Sequence, residues 1–432
     1  MGLSTTFGVS VYSVAIDDIS RHFKVSSEAA NVPLTLYIIG QAIGPMIAAP
    51  LSERYGRKAV LLIPVFFSLL FTMGAGLAPN LAALCILRFL SGATGSPALS
   101  VGNVITTEVL APAHRSVGIA VMNISPFLGT ALGPILGGYA VQAMGWRWSQ
   151  WLMIFIALPV WLAVLPMSET YKKAILARQQ AKSKSENPVL TADVTWAQQL
   201  GKTFVITLGR PLKMLFTEPI VMAFAVYVAF NFSVLFSFLG AFPVVFQGVY
   251  GFNLGESGLA FLGIAVGVFV ELPIYLYLDR ITYQRKLSLL TKANGTTKIA
   301  PEARLYPALL GSVLIPVGLF MFGWLSRPSI HWIAPVIATS LFAIGNLLVF
   351  ACCMLYLVDA YGPLYGASAV GANGLPRYIV GGVAPLYTTQ LYARLGVHWA
   401  SSLLGFIAVA LAPVPWPRTL GGSVAAGATK DG

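Results

Sequence analysis

Charge is what this sequence has least of: 10% of its 432 residues are Asp, Glu, Lys or Arg, against ~25% in a soluble domain. Hydrophobic residues make up 57%. A water-soluble core cannot hide that much apolar surface, and several runs exceed the ~18 apolar residues that mark a membrane-crossing helix. The sequence therefore reads as an all-α, multi-pass membrane protein. Cysteine is scarce too. Cys85, Cys352 and Cys353 all sit inside apolar runs, which excludes a disulfide framework and any Cys/His metal spacing. The four histidines (His22, His114, His331, His398) lie far apart near expected span ends, with no H-E-x-x-H pattern. No catalytic residue, metal site or cofactor is expected, and the chain is not read as an enzyme.

The charge that is present leans positive, to a net +12. A nucleic-acid partner would want that excess on one soluble face, but it follows the loops instead. With successive loops assigned to alternate sides, 20 of the 27 Lys and Arg share the side of residues 52–58 and 5 lie opposite; Arg88 and Arg377 fall inside spans. That bias places the first side, and both termini, in the cytosol. The charge sets topology and implies no nucleic acid. The sequon at Asn294 then faces the cytosol and stays bare.

Spans are expected near 3–16, 31–48, 59–78, 81–106 and 116–144, with a sixth ending near Pro166. Six more follow near 219–246, 257–278, 305–325, 332–358, 367–392 and 399–416. The first is a span, not a cleavable signal peptide, yet it is short for a crossing. A tilted or locally thinned arrangement, or a gene model that starts late, would account for it. Arg21, Lys24 and Glu28 read as a short outer loop, and Trp146, Trp148 and Trp151 as an interfacial outer turn. The expected organisation is a six-helix half at 1–167, a cytosolic connector at 168–215, a second six-helix half at 216–418 and a cytosolic tail at 419–432. Residues 169–184 of the connector suit a basic amphipathic helix on the inner leaflet.

Between the second and third spans runs Ala49-Pro50-Leu51-Ser52-Glu53-Arg54-Tyr55-Gly56-Arg57-Lys58, read as a tight charged turn. Leu51, Arg54, Gly56, Arg57 and Lys58 match the signature loop of the major facilitator superfamily, G-x-L-a-D-r-x-G-r-k. Ala49 stands where the family has Gly, and Glu53 where it usually has Asp. The segments at 301–305, 356–361 and 399–406 are similar to its fungal twelve-helix drug:proton antiporter branch. A second copy of the loop survives only as Leu278-Asp279-Arg280. The resemblance implies a major facilitator fold of twelve transmembrane helices in two six-helix pseudo-repeats, which rock about a midplane site.

In the fifth span Gly129, Gly133 and Gly137 recur every four residues, and with Pro134 and Gly138 they spell G-x-x-x-G-P-x-x-G-G. Glycines at that spacing share one face and let a neighbouring backbone approach closely. The pattern is similar to the superfamily's antiporter motif, associated with exporters, and would serve as pivot and seal. Arg88 sits mid-span, where a cation costs roughly 2.5–3.5 kcal/mol, so it should meet a cavity or a carboxylate. Its context resembles the family's fourth-helix motif, whose Arg is implicated in proton coupling; locking helices through backbone carbonyls is the plainer role. Proton coupling needs a buried carboxyl that loads on one side and releases on the other. Glu271, on burial, and Asp17, which with Asp18 ends the first span, are the candidates; a wetted or paired acid near the cytosolic boundary is the plainer role for Glu271. Glu108, Glu169 and Asp359 read as gate or cap residues at helix ends.

Cavity candidates are Tyr12, Ser13, Gln41, Asn103, Asn123, Tyr227, Asn231, Asn346, Asn373 and Arg377; each also suits an interhelical hydrogen bond. Arg377 could meet an anionic substrate or pin helix packing. Abundant aromatics and few buried charges suit an amphiphilic, weakly charged solute. The reading is a monomeric plasma-membrane protein of the lipid bilayer, a proton-coupled antiporter that exports a small organic molecule: a drug, toxin or secondary metabolite. The rivals are transport of polyamines or organic acids, an uptake facilitator, and a non-transporting membrane sensor.

Overall fold

Apolar runs punctuated by polar caps set the helices. The computed structural model describes residues 1–109, 115–171, 175–176, 209–294 and 300–416. Most of the expected connector and all of the expected tail lie outside the described residues, as does the expected amphipathic helix but for its first few residues. In chain order the helices of the first half are α1 (Gly2–Ser13), α2 (Ile16–Phe23), α3 (Ser27–Tyr55), α4 (Arg57–Gly76), α5 (Leu81–Gly95), α6 (Pro97–Val109), α7 (Arg115–Met144) and α8 (Trp148–Val164). The second part carries α9 (Arg210–Thr217), α10 (Pro219–Phe242), α11 (Leu254–Leu259), α12 (Leu262–Asp279), α13 (Arg285–Asn294), α14 (Tyr306–Leu325) and α15 (Ile333–Leu411). No strand occurs among the described residues.

Nine helical stretches among the described residues are long and apolar enough to cross a membrane. Two further expected spans are the short α1 and the 17-residue α8. The rest of the pattern is hidden in the 79-residue α15, whose backbone leaves helical values at Gly362 (φ 66°) and Gly396 (φ 73°). Those two glycines divide it into three passes near the expected places. Large side chains such as Leu77, Phe155 and Phe269 are 60% or more exposed around the bundle, as expected of a surface solvated by lipid.

Two local expectations change. Residues 16–23 form a helix, not a loop, with Asp17 and Asp18 in its first turn and Arg21 and His22 in its last. That arrangement suits the helix dipole. The charged stretch after Ala49 is not an open turn either, because α3 continues to Tyr55 and the reversal is made at Gly56 alone. Gly56 has φ 94°, a backbone region that essentially only glycine enters. Side-chain caps start other helices: Ser26 accepts from Ala29 N, Asn80 from Ala83 N, and Asn253 forms a capping box with Glu256.

The two groups of helices meet near one end of the bundle, called here the far end. There the Thr35 hydroxyl donates to Gly382 O at 2.8 Å, Gly255 N donates to Gln142 Oε1 at 2.9 Å, and Gln390 Nε2 donates to Glu28 Oε1 at 3.1 Å. The opposite end carries the signature stretch.

Candidate functional site

At the signature end, Gly56 turns the chain into the start of α4, leaving backbone N–H groups without intrahelical partners. Glu169, just past α8, supplies the acceptor. Its Oε1 takes hydrogen bonds from Arg57 N (2.9 Å), Thr170 N and Tyr171 N (both 3.0 Å), and its Oε2 takes one from Lys58 N (3.3 Å). Burial opposes the charge, but the four N–H donors outweigh it and hold the carboxyl below its ordinary range. The Arg57 guanidinium lies 4.8 Å from the Tyr171 ring and bonds the Ser52 hydroxyl. The side chains of Glu53, Arg54 and Asn103 lie outside the described residues, as does that of Glu108. In the second half, Arg304 bonds Asp359 at 2.9 Å, approaches Asp279 at 3.6 Å and stacks on Tyr283 at 3.5 Å. Three short segments that looked separate in the sequence thus form one ionic cluster.

The glycines of α7 work on two faces. A Cβ on Gly129 or Gly133 would collide with α1 backbone and hydroxyls, and one on Gly137 would meet Val11 Cγ2 at 2.8 Å. The Ser10 hydroxyl uses that closeness to donate to Gly129 O at 3.1 Å. On the other face a Cβ on Gly138 would sit 2.9 Å from Leu254 O, and one on Gly258 would strike Pro134 O. α7 therefore binds α1 within its own half and seals against α11 of the other half.

Arg88 is fully buried. Its Nη2 donates to Gly8 O at 2.7 Å and its Nη1 to Gln150 Oε1 at 3.5 Å, with the guanidinium 4.7 Å from the Tyr12 ring and 4.2 Å from the Tyr37 ring. Tyr12 donates onward to Ala30 O and Tyr37 to Thr5 O, which also accepts from Gln41 Nε2. This one cation ties α1, α3, α5 and α8 together. Among the described residues it has no carboxylate partner. Glu271, 2% exposed on α12, makes no hydrogen bond or ion pair among the described residues. Asp17 is placed elsewhere, in a hollow of about 390 Å³ at the far end with Asp18, Arg21, Gln142, Gln247 and Leu254. Asp18 Oδ2 accepts from Trp146 N at 2.7 Å.

Near mid-bundle the halves touch through rings. Phe127 of α7 is 5.5 Å from Phe232 of α10 and 5.8 Å from Phe350 of α15, and those two are 5.5 Å apart. Arg377 lies over Phe232, Phe350 and Tyr378 at 4.7–4.9 Å. Around this cluster stand buried polar groups with no hydrogen-bond partner among the described residues, Asn123 Nδ2 and both amide atoms of Asn346 and Asn373, together with the Tyr227 hydroxyl and the Asn231 amide, one turn apart on α10. Most of the expected cavity residues thus occupy one level of the bundle. Tyr12, Ser13 and Gln41 do not; they pack around α1, where the Ser13 hydroxyl donates to Ser10 O at 2.7 Å.

The profile of the Major Facilitator Superfamily matches residues 1–385. The chain belongs to the major facilitator superfamily. It is 38% identical to Polyamine transporter 4 of Saccharomyces cerevisiae over 96% of this chain and 66% of that protein. It is 40% identical to Efflux pump FUB11 of Gibberella moniliformis over 96% of this chain and 70% of that one. The chain thus spans about two thirds of the length of these relatives. Among solved structures, the proton:xylose symporter XylE matches at TM-score 0.64 and 16% identity, covering 96% of this chain and 93% of that one; the likeness shows the fold. Superfamily members are transporters, not enzymes.

The phenylalanines of the midplane cluster were missed at the sequence level. Nothing local distinguishes Phe127 or Phe350 from a lipid-facing ring, and Phe232 lies between Asn231 and Ser233 with no pattern of its own.

Proposed function

We propose that this major facilitator protein exports a small organic molecule across the plasma membrane in exchange for protons, with the signature end and both termini in the cytosol. The supporting observation is the asymmetry of the seam. α7, α11, α3 and the middle pass of α15 close it at the far end, while unpartnered polar groups collect at mid-bundle. A carrier in that state takes solute from the signature end. The efflux-pump name of one relative points the same way, and the 20-to-5 distribution of basic residues puts that end in the cytosol. Glu271 carries the proton, because among the described residues it is a buried mid-helix carboxyl without a partner. Arg88 keeps the first-half helices in register.

The test uses purified protein in sealed vesicles with an imposed proton gradient and a panel of amphiphiles, organic acids and polyamines. Uphill solute movement, abolished by a protonophore and by Glu271→Gln, is the expected result. Movement indifferent to the gradient leaves a facilitator, and no movement by folded protein leaves a sensor.

A further inference from the structure

We propose that the midplane site recognises an organic anion, a carboxylate on an aromatic or alkyl body, and that Arg377 is the group that binds it. This names the substrate class of the site above and rests on the reading of that site as the solute's seat.

Among the described residues Arg377 has three aromatic neighbours and no acidic one within ion-pair distance. Rings at 4.7–4.9 Å cover the guanidinium, and among the described residues it makes no hydrogen bond or ion pair and its buried Nε has no partner. Stacking occupies the faces of a guanidinium and leaves its edge, with five N–H donors in a fixed fork, for a planar acceptor. A carboxylate matches that fork two oxygens at a time.

The surroundings give the site a direction. Four residues toward the far end, a Cβ on Gly381 would press on Phe236 at 2.8 Å, and at Gly382 it would meet Ile38 at 3.1 Å. Three residues the other way, a Cβ on Gly374 would meet no heavy atom within 4 Å. Positions 374, 377 and 381 share a helix face, so that face is open on the signature side of Arg377 and packed on the other. Asn373, one turn before Arg377, and Asn123, one turn before Phe127, bring unpartnered amides to the same side. The Phe127–Phe232–Phe350 triangle supplies flat apolar surface from both halves.

The charge decides between solute classes. Glu271 is the buried mid-helix acid of the second half, and it makes no ion pair with Arg377. A polyamine seated here would meet a cation; an organic anion would relieve one.

The experiment is equilibrium binding of radiolabelled 2-naphthoate and octanoate to the purified full chain, with 2-naphthamide and spermidine as competitors. Saturable binding is expected, insensitive to both competitors. R377Q should weaken it at least ~30-fold, equivalent to about 2 kcal/mol at 1.4 kcal/mol per decade. R377K, which keeps the charge without the stacked fork, should fall between. Unaltered gel filtration and melting of the variants separate loss of the site from loss of fold. The proposal is overturned if neither acid binds the wild-type chain, if naphthamide competes as well as naphthoate, or if R377Q binds both acids normally. Binding that obeys Arg377 without proton-driven transport sinks the antiport reading and keeps this one. Proton-driven export of neutral or cationic solutes, unchanged by R377Q, does the reverse.

Discussion

At the scale of single residues, the sharpest dependency is between Gly56 and Glu169. A side chain at 56 would face both a backbone region closed to it and the Glu169 carboxylate, where the added Cβ would lie 2.7 Å from Cδ. Gly56→Ala should therefore cost of order 1–3 kcal/mol, and Glu169→Ala about 0.5–2 kcal/mol as a lost helix cap. The double variant should cost less than the two together, since removing the carboxylate removes half of the conflict; a thermal-melt cycle measures the coupling. The pH dependence has a definite sign. A carboxyl held below its ordinary value stabilises fully above the unfolded value and loses that contribution as pH falls through the folded one. The melting difference between wild type and Glu169→Gln should stay constant from pH 6 to 8 and shrink only below about pH 4.5. Arg88 calls for a different experiment. Arg88→Met removes the tie to Gly8 O and two ring contacts, the latter worth ~2 kcal/mol or more each when desolvated. It should lower the melting temperature, whereas a residue serving the proton alone would leave melting unchanged and shift only the pH profile of transport.

At the scale of helices, α7 shows what a sequence makes legible. Its glycines repeat with the helical period, so the close approach to α1 could be read from spacing, and a Cβ at Gly133 would indeed fall on Ser10 and Val11. Gly133→Val should force α1 and α7 apart and lower folded yield in detergent, measured by fluorescence-detected gel filtration. Gly138→Val presses instead on α11, so its folded yield should remain near wild type while outside access of a thiol reagent to Ser257→Cys rises. Hydropathy placed most of the expected spans because burial in lipid demands long apolar runs. It could not place the end of α3, since helix propensity carries the charged stretch on to Tyr55 and only a positive φ at Gly56 stops it. The midplane site was half legible. Its asparagines and Arg377 stand out because polar groups are rare in such helices, but the Phe127–Phe232–Phe350 triangle joins residues 105 and 118 positions apart along the chain. No local pattern encodes that meeting.

At the scale of the whole molecule, the argument rests on which end of the seam is shut. Among the described residues the far-end hydrogen bonds are few and individually weak, two that use a backbone group and one surface pair, and they lie beside glycine contacts that depend on closeness. Each hydrogen bond contributes only ~0.5–1.5 kcal/mol net, so the closed arrangement can be exchanged for one open at this end when solute and proton shift the balance. A covalent bridge there should stop the exchange. Glu28 and Gln390 are both exposed and bonded across the seam, so Glu28→Cys with Gln390→Cys, joined through two disulfides by a short bis-methanethiosulfonate, should abolish transport and recover it on reduction. The native Cys352 and Cys353 are buried and Cys85 only partly exposed, so the single-cysteine variants serve as controls. Binding should respond differently from transport. If solute enters from the signature end, the bridged protein still binds it with wild-type affinity, because the bridge leaves that end unconstrained. Loss of binding together with transport would instead mean that solute reaches Arg377 through the far end, and that the closed seam stands between the site and its mouth.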